Sequence, residues 1–210
     1  MLSHRYLIGM FAVNFIYEVI VTVFDFNFKI AAGNYYCGVE LSRYLSLMAS
    51  SIGIVSLGCL LLGISNVTRF LGLGIALAAM PVIVGFSLFG FMTAGSLSFL
   101  FGIMVGAKAI NYALMGPALK QLYIPTTPDV RFKALAWIET FGSRSSKQAG
   151  SVLNMTLAPL QRACGAAAGK AHYLLLTGCL GFPLIALWFV IALFLGRTFK
   201  RAVAEQRAVC

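Results

Sequence analysis

Between residues 136 and 154 the chain reads AWIETFGSRSSKQAGSVLN, and its functional groups are spaced as on one face of a helix. Glu139, Ser143, Lys147, Gly150 and Asn154 follow one another at intervals of 4, 4, 3 and 4. Arg144 lies about 60° from Lys147, at the margin of this stripe. A lysine and an arginine among the hydroxyls of Ser143, Ser145 and Ser146 make a sensible cradle for phosphate oxygens, which take charge-assisted hydrogen bonds most strongly where water is scarce. The segment is not a P-loop. Gly142 and Lys147 have the spacing of GxxxxGK[ST], but Ser146 replaces the second glycine, Gln148 replaces Ser/Thr, and no strand precedes.

A second stripe lies near the N-terminus. Asn14, Glu18, Thr22, Asp25 and Lys29 repeat the 4, 4, 3, 4 spacing; at 100° per residue they fall within roughly 80° of arc. A simpler reading is that Glu18 and Glu139 pair with Arg144 or Lys147 to hold helices together. Lys29 and Asp25, near a helix end, could snorkel to an interface. Lys108, with Asn111 and Tyr112 on its helical face, reads as an end-anchor of the same kind. His4 and His172 are isolated, and the six acidic residues are scattered, so no metal site, cofactor site or nucleophile–base constellation can be assembled, and no enzyme is expected.

The elements that must position these groups are membrane helices. The chain has 210 residues, 60% of them hydrophobic and 10% charged, with a mean hydropathy of +0.90. Its apolar runs approach the ~20 residues a bilayer requires. The net charge of +10 is dispersed between those runs, which argues for a topological cause and against nucleic acid as a partner. The five cysteines have no ligand spacing and read as small apolar residues.

Breaking the chain at Gly, Pro and charge clusters predicts an all-α membrane protein of six transmembrane helices, at about 6–27, 43–64, 69–91, 94–115, 134–158 and 173–196. The whole of 1–210 is one membrane domain with a basic tail at 197–210. Six crossings place Arg5, Arg69, Lys120, Arg131, Lys133, Arg197, Lys200, Arg201 and Arg207 on one side and only Lys29, Arg43, Arg162 and Lys170 on the other. By the positive-inside rule both termini are then cytoplasmic. The segment GPALKQLYIPTTPDVRFK (116–133) reads as the longest internal connection. Facing stripes on the first and fifth spans imply a polar central path, with Asn14, Glu18, Lys108 and Asn111 as possible cavity-lining residues. Gly142, Ser146 and Gly150 admit another helix closely or give a ligand room; Gly102/Gly106 and Gly165/Gly169 read as packing.

The segment LYIPTTPDVRFKALAWIETFGSRSSKQAGSVLN (122–154) resembles the nucleotide transporter family, the ATP/ADP translocases of obligate intracellular bacteria and plastids. Tyr123-Ile124-Pro125, Lys133-Ala134 and Ile138-Glu139 correspond to that family's Tyr-Ile-Pro, Lys-Ala and Ile-Asp, and Lys147 falls on its transport lysine. Asp25-Phe26-Asn27-Phe28-Lys29 resembles the end of the family's seventh helix, with Asp25 in place of the usual Glu and Phe28 where Trp is common. Gly116, Ala118 and Leu119 stand where ATP/ADP exchangers carry polar residues. The resemblance covers the family's C-terminal half and implies half of a major-facilitator-like bundle. It further implies antiport of ATP and ADP, with a second six-helix half, as a separate chain or in a homodimer, as partner. Lys147 and Arg144 would bind phosphates, Asp25 and Lys29 would form a gating pair, and Glu139 would hold Lys147 or Arg144 in the empty state. Asn154 would complete the substrate-binding set. The alternative is a membrane assembly subunit, or an inactive remnant of such a transporter.

Overall fold

A computed structural model describes residues 2–63, 72–93 and 96–205. Among the described residues the chain is entirely helical in its regular structure, with six long helices and one short one. They are α1 (Leu2–Gly33), α2 (Gly38–Leu61), α3 (Leu73–Thr93), α4 (Leu97–Gln121), α5 (128–155), α6 (Leu157–Cys164) and α7 (Ala166–Ala204). α1, α2, α3, α4 and α7 are long and apolar enough to cross a membrane, so this is an all-α, multi-pass membrane protein. The fifth expected span, 134–158, is not among them: its polar stripe lowers its hydropathy below that of a lipid-exposed helix.

Pairwise contacts fix the helix directions. Phe28 meets Tyr44 and Phe101, and Lys108 meets Asp25, so α2 and α4 run antiparallel to α1. Gly9 abuts Leu195 while Phe26 meets Tyr173, so α7 is antiparallel too. Along α5, Gly142 faces Phe11 and Gly150 faces Thr22, so α5 runs parallel to α1 at the same depth. The polar fifth segment therefore traverses the bundle. Its small residues are what allow this: Ser146 and Gly150 are buried, and a Cβ on Gly150 would lie 2.8 Å from Thr22 Cβ. Gly150→Ala is expected to cost about 1–3 kcal/mol and to lower the melting temperature in detergent. An unchanged melting point would mean that the α1–α5 contact yields easily.

α3 and α7 pack on the same principle. A Cβ on Gly196 would lie 2.5 Å from Gly74 Cα, and Gly178 and Gly181 receive Met92 and Leu88. Trp188, fully buried, stacks edge-on against Tyr17 behind α1. Gly169 seats on the backbone at Gln161, and Gly165 turns the chain at φ 85, which favours glycine. Gly102 and Gly106, expected at a helix contact, face open space instead.

Two elements depart from the expected boundaries. α4 does not stop near residue 115 but continues to Gln121, and α5 begins at Pro128, so the long connection shrinks to 122–127. Pro117 should have ended the helix, because its ring clashes with the carbonyl four residues earlier. A π-helical turn at Asn111–Met115, closed by the Gly116 amide bonding to the Asn111 carbonyl, widens the helix there and accommodates it. A second π-turn occupies Trp137–Gly142 in α5. Residues 64–71, 94–95 and 206–210, on which parts of the second to fourth spans and of the basic tail were placed, lie outside the described residues.

Candidate functional site

Both π-turns face the same space. A cleft of about 570 Å³ opens between α1, α4 and α5, with Leu60 of α2 at its edge. Asn14, Tyr17 and Glu18 come from α1, Asn111 and Tyr112 from the first π-turn, and Ile138 and Glu139 from the second; Lys120 and Tyr123 close one end. A π-turn inserts an extra residue and re-aims the side chains around it, a geometry found repeatedly at functional sites. The cleft lies between the first, fourth and fifth expected spans; of the possible cavity-lining residues Asn14, Glu18 and Asn111 are on its wall and Lys108 is not, while Glu139, expected as a partner of Lys147 or Arg144, is.

Of the expected ion pairs, Glu18–Lys147 from the simpler reading is present, and the pairs drawn from the resemblance are not found among the described residues. Asp25 does not pair with Lys29, which is exposed at the helix end; both its carboxylate oxygens accept hydrogen bonds from Lys108 Nζ, at 2.6 and 2.9 Å. The antiparallel course of α4 brings Lys108 opposite Asp25, and that is why Lys108 is a partner in the bundle interior instead of an end-anchor. Glu139 does not hold Lys147 or Arg144. Lys147 Nζ lies 3.9 Å from Glu18 Oε2 instead, an ion pair too long for a hydrogen bond. The reason is the π-turn at 137–142: the 4, 4, 3, 4 stripe assumes a regular helix, and the extra residue rotates Glu139 away from the face that carries Lys147.

Along α1, Glu18 and Asp25 are seven residues apart, about 10 Å of helix. The tight pair pins α4 to α1, and the loose one links α5 to α1. The Lys147 side chain stays 59% exposed against 18% for Lys108, so its ammonium is available to another anion. Arg144 and Gln148 are also exposed, next to Lys147 and outside the cleft wall.

Asn154 belongs to a different arrangement. It accepts a 2.8 Å hydrogen bond from the Tyr173 hydroxyl and donates to the Thr22 carbonyl at 3.4 Å. Asn27 donates to the same hydroxyl at 3.4 Å. This buried network ties α1, α5 and α7 together, so Asn154 positions α5 and does not face the cleft. Tyr173→Phe leaves the Asn154 amide oxygen without its donor. A loss of about 1–3 kcal/mol is expected, seen as an earlier thermal transition in detergent with ligand binding preserved once folded.

Tyr17, Tyr112, Lys120 and Tyr123 were missed as cleft residues. A signal for two of them existed: Tyr112, Gly116, Leu119 and Tyr123 recur at 4, 3 and 4, a stripe visible only if the helix is allowed to continue through Pro117. Tyr6 contributes from below by donating 2.8 Å to the Leu122 carbonyl, one of the orphan acceptors at the end of α4. Burial, and after it the Glu139 carboxylate, push the Tyr123 phenol up to about 12. Alkaline titration followed by tyrosinate absorbance is expected to leave this residue protonated until about pH 12. Glu139→Gln should lower that value without restoring the ordinary one, because burial is the larger cause.

No protein-family model, no curated protein and no solved structure matches this chain. The site is therefore read on its own chemistry. Its wall carries Glu18 and Glu139 against Lys120, which repels anions, while the cations Lys147 and Arg144 stand beside it on α5. An anionic ligand would seat its charge on α5 and its neutral part against the amides and phenols of the cleft.

Proposed function

We propose that the chain is a six-helix half of a membrane transporter for nucleotides, which exchanges ATP and ADP when joined to a second half. The observation that carries this reading is the state of Lys147. It sits on a helix that traverses the bundle, beside Arg144, and its only carboxylate neighbour in an ion pair among the described residues holds it at 3.9 Å. A triphosphate would outcompete so long a contact, because several charge-assisted hydrogen bonds replace one loose Coulombic attraction. Glu18 then acts as the place-holder that keeps Lys147 neutralised when no substrate is bound.

The exposed polar face of α5 supports a second half. Arg144, Lys147, Gln148 and Ser151 are exposed at the depth of the middle of α1, where contact with lipid costs roughly 2.5–3.5 kcal/mol per charge. They face a water-filled path or another protein surface. With α5 as a crossing helix the chain spans the membrane six times, and the described ends of α1 and α7 lie at the same end of the bundle. The surplus of basic residues there supports a cytoplasmic side for that end, in the bacterial inner membrane that the resemblance implies.

The competing reading, a membrane assembly subunit or inactive remnant, draws on the same ion pairs: if Asp25–Lys108 and Glu18–Lys147 only neutralise charge, no ligand is needed. Nucleotide binding separates the two. The purified chain in detergent should bind ATP and ADP with an affinity that falls as salt rises, and uptake into liposomes should require the second half. Failure of ATP, ADP and inorganic triphosphate alike to bind would favour the assembly subunit.

A further inference from the structure

Below the tight contact of Gly142 with Phe11, α1 and α5 part and leave a wedge of about 470 Å³ between them. Leu7, Ile8 and Phe11 wall it on α1, Ala134 and Trp137 on α5, and Lys133 is the charged residue at its lining. The wedge adjoins the cleft at Ile138 but has none of the cleft's carboxylates in its lining. Ile8 and Trp137, on its two lips, are 64% and 63% exposed. These are large apolar groups that water would not tolerate together but a bilayer would.

Its position sets the chemistry of the occupant. The Tyr6–Leu122 hydrogen bond and the Gly9–Leu195 contact bring the starts of α1 and α5 and the ends of α4 and α7 to one end of the bundle. Arg5, Lys120, Arg131, Lys133, Arg197, Lys200 and Arg201 gather there, against Asp129 and Glu205. Tryptophan is enriched at the level of lipid headgroups, and a basic end attracts anionic ones. A partner helix is a poor fit: at about 10 Å across it would place barely one turn in this volume. A single flexible chain fits a wedge whose walls are apolar and whose lining includes Lys133.

We propose that the wedge holds one acyl chain of an anionic phospholipid, with Lys133 binding its phosphate. The site is independent of the nucleotide reading, since neither Lys147 nor Glu18 touches it. A lipid seated there would brace α5 just before its π-turn, on the segment that leads to Lys147.

The test is retention of lipid by the full chain in mild detergent, read by native mass spectrometry after exposure to equal amounts of phosphatidylglycerol and phosphatidylcholine with identical acyl chains. The wild type should keep the anionic lipid about five-fold over the zwitterionic one, the preference that one lysine near a charged surface provides. Lys133→Gln should abolish that preference while leaving residual binding of both. Ala134→Trp, which fills the wedge, should reduce both, and Lys147→Ala should change neither. Equal retention of the two lipids by wild type would mean annular lipid only, and a preference that survives Lys133→Gln would place the phosphate elsewhere. Either result, or a dimer whose contact covers Ile8 and Trp137, would overturn the proposal.

Discussion

On the proposed function, Lys147→Ala is expected to abolish nucleotide transport while leaving membrane insertion and helix content intact. The side chain is 59% exposed and makes no short hydrogen bond, so little folding energy depends on it. Its loss removes the ammonium that would meet the phosphates, and a charge-assisted hydrogen bond contributes about 1.5–3 kcal/mol, a factor of ten to over a hundred in affinity. Glu18→Gln tests the same pair from the other side. With its place-holder gone, Lys147 should bind ATP more tightly, and turnover should fall because release slows. Lys147→Arg keeps the charge and should retain part of the binding. The checks are ATP binding to the purified chain and uptake by membranes carrying it with a second half, normalised to the amount inserted. Wild-type uptake by Lys147→Ala would remove the central claim.

Lys108→Ala should do the opposite, reducing stability more than binding. Its ammonium is bonded to both oxygens of Asp25, and its removal leaves a carboxylate at membrane depth without a partner. Breaking a fully buried pair costs about 3–5 kcal/mol. Lys108 and Asp25 are 18% and 30% exposed, so a loss of about 2–3 kcal/mol is the expected size. The double variant Asp25→Asn with Lys108→Met removes both charges together and should recover most of that loss, because the penalty belongs to the orphaned charge and not to the absent pair. Thermal unfolding in detergent of the two singles and the double closes the cycle. Additive losses would show that Asp25 and Lys108 are held by other contacts.

Lys147 and Lys108 are residues of the same type, and nothing in their local sequence shows which of them is tightly held. Lys147 stands in the more conspicuous motif, Lys108 in a run of apolar residues that reads as an anchor. Lys108 is the tightly held one because α4 runs back along α1 and meets Asp25, a contact 83 residues apart in the chain. Asn154 shows the same limit. It completes a spacing stripe with Lys147, yet its partners are the Thr22 carbonyl and the Tyr173 hydroxyl.

What the sequence alone determined was the solvent. Apolar runs of bilayer length, with backbone groups that must bond internally, leave only membrane helices. The helical spacing of Asn14, Glu18 and Asp25 marked α1 as a polar wall. Tertiary structure decided the rest. Helical phase read from sequence assumes a constant 100° per residue, and the π-turns at Asn111–Met115 and Trp137–Gly142 break it. One carries α4 past Pro117 and brings Lys120 and Tyr123 to the cleft. The other turns Glu139 away from Lys147, so the carboxylate that holds the lysine comes from α1. Which charges meet depends on the packing of helices distant in sequence, and that packing is governed by glycines and serines whose lack of bulk is visible locally but whose partners are not.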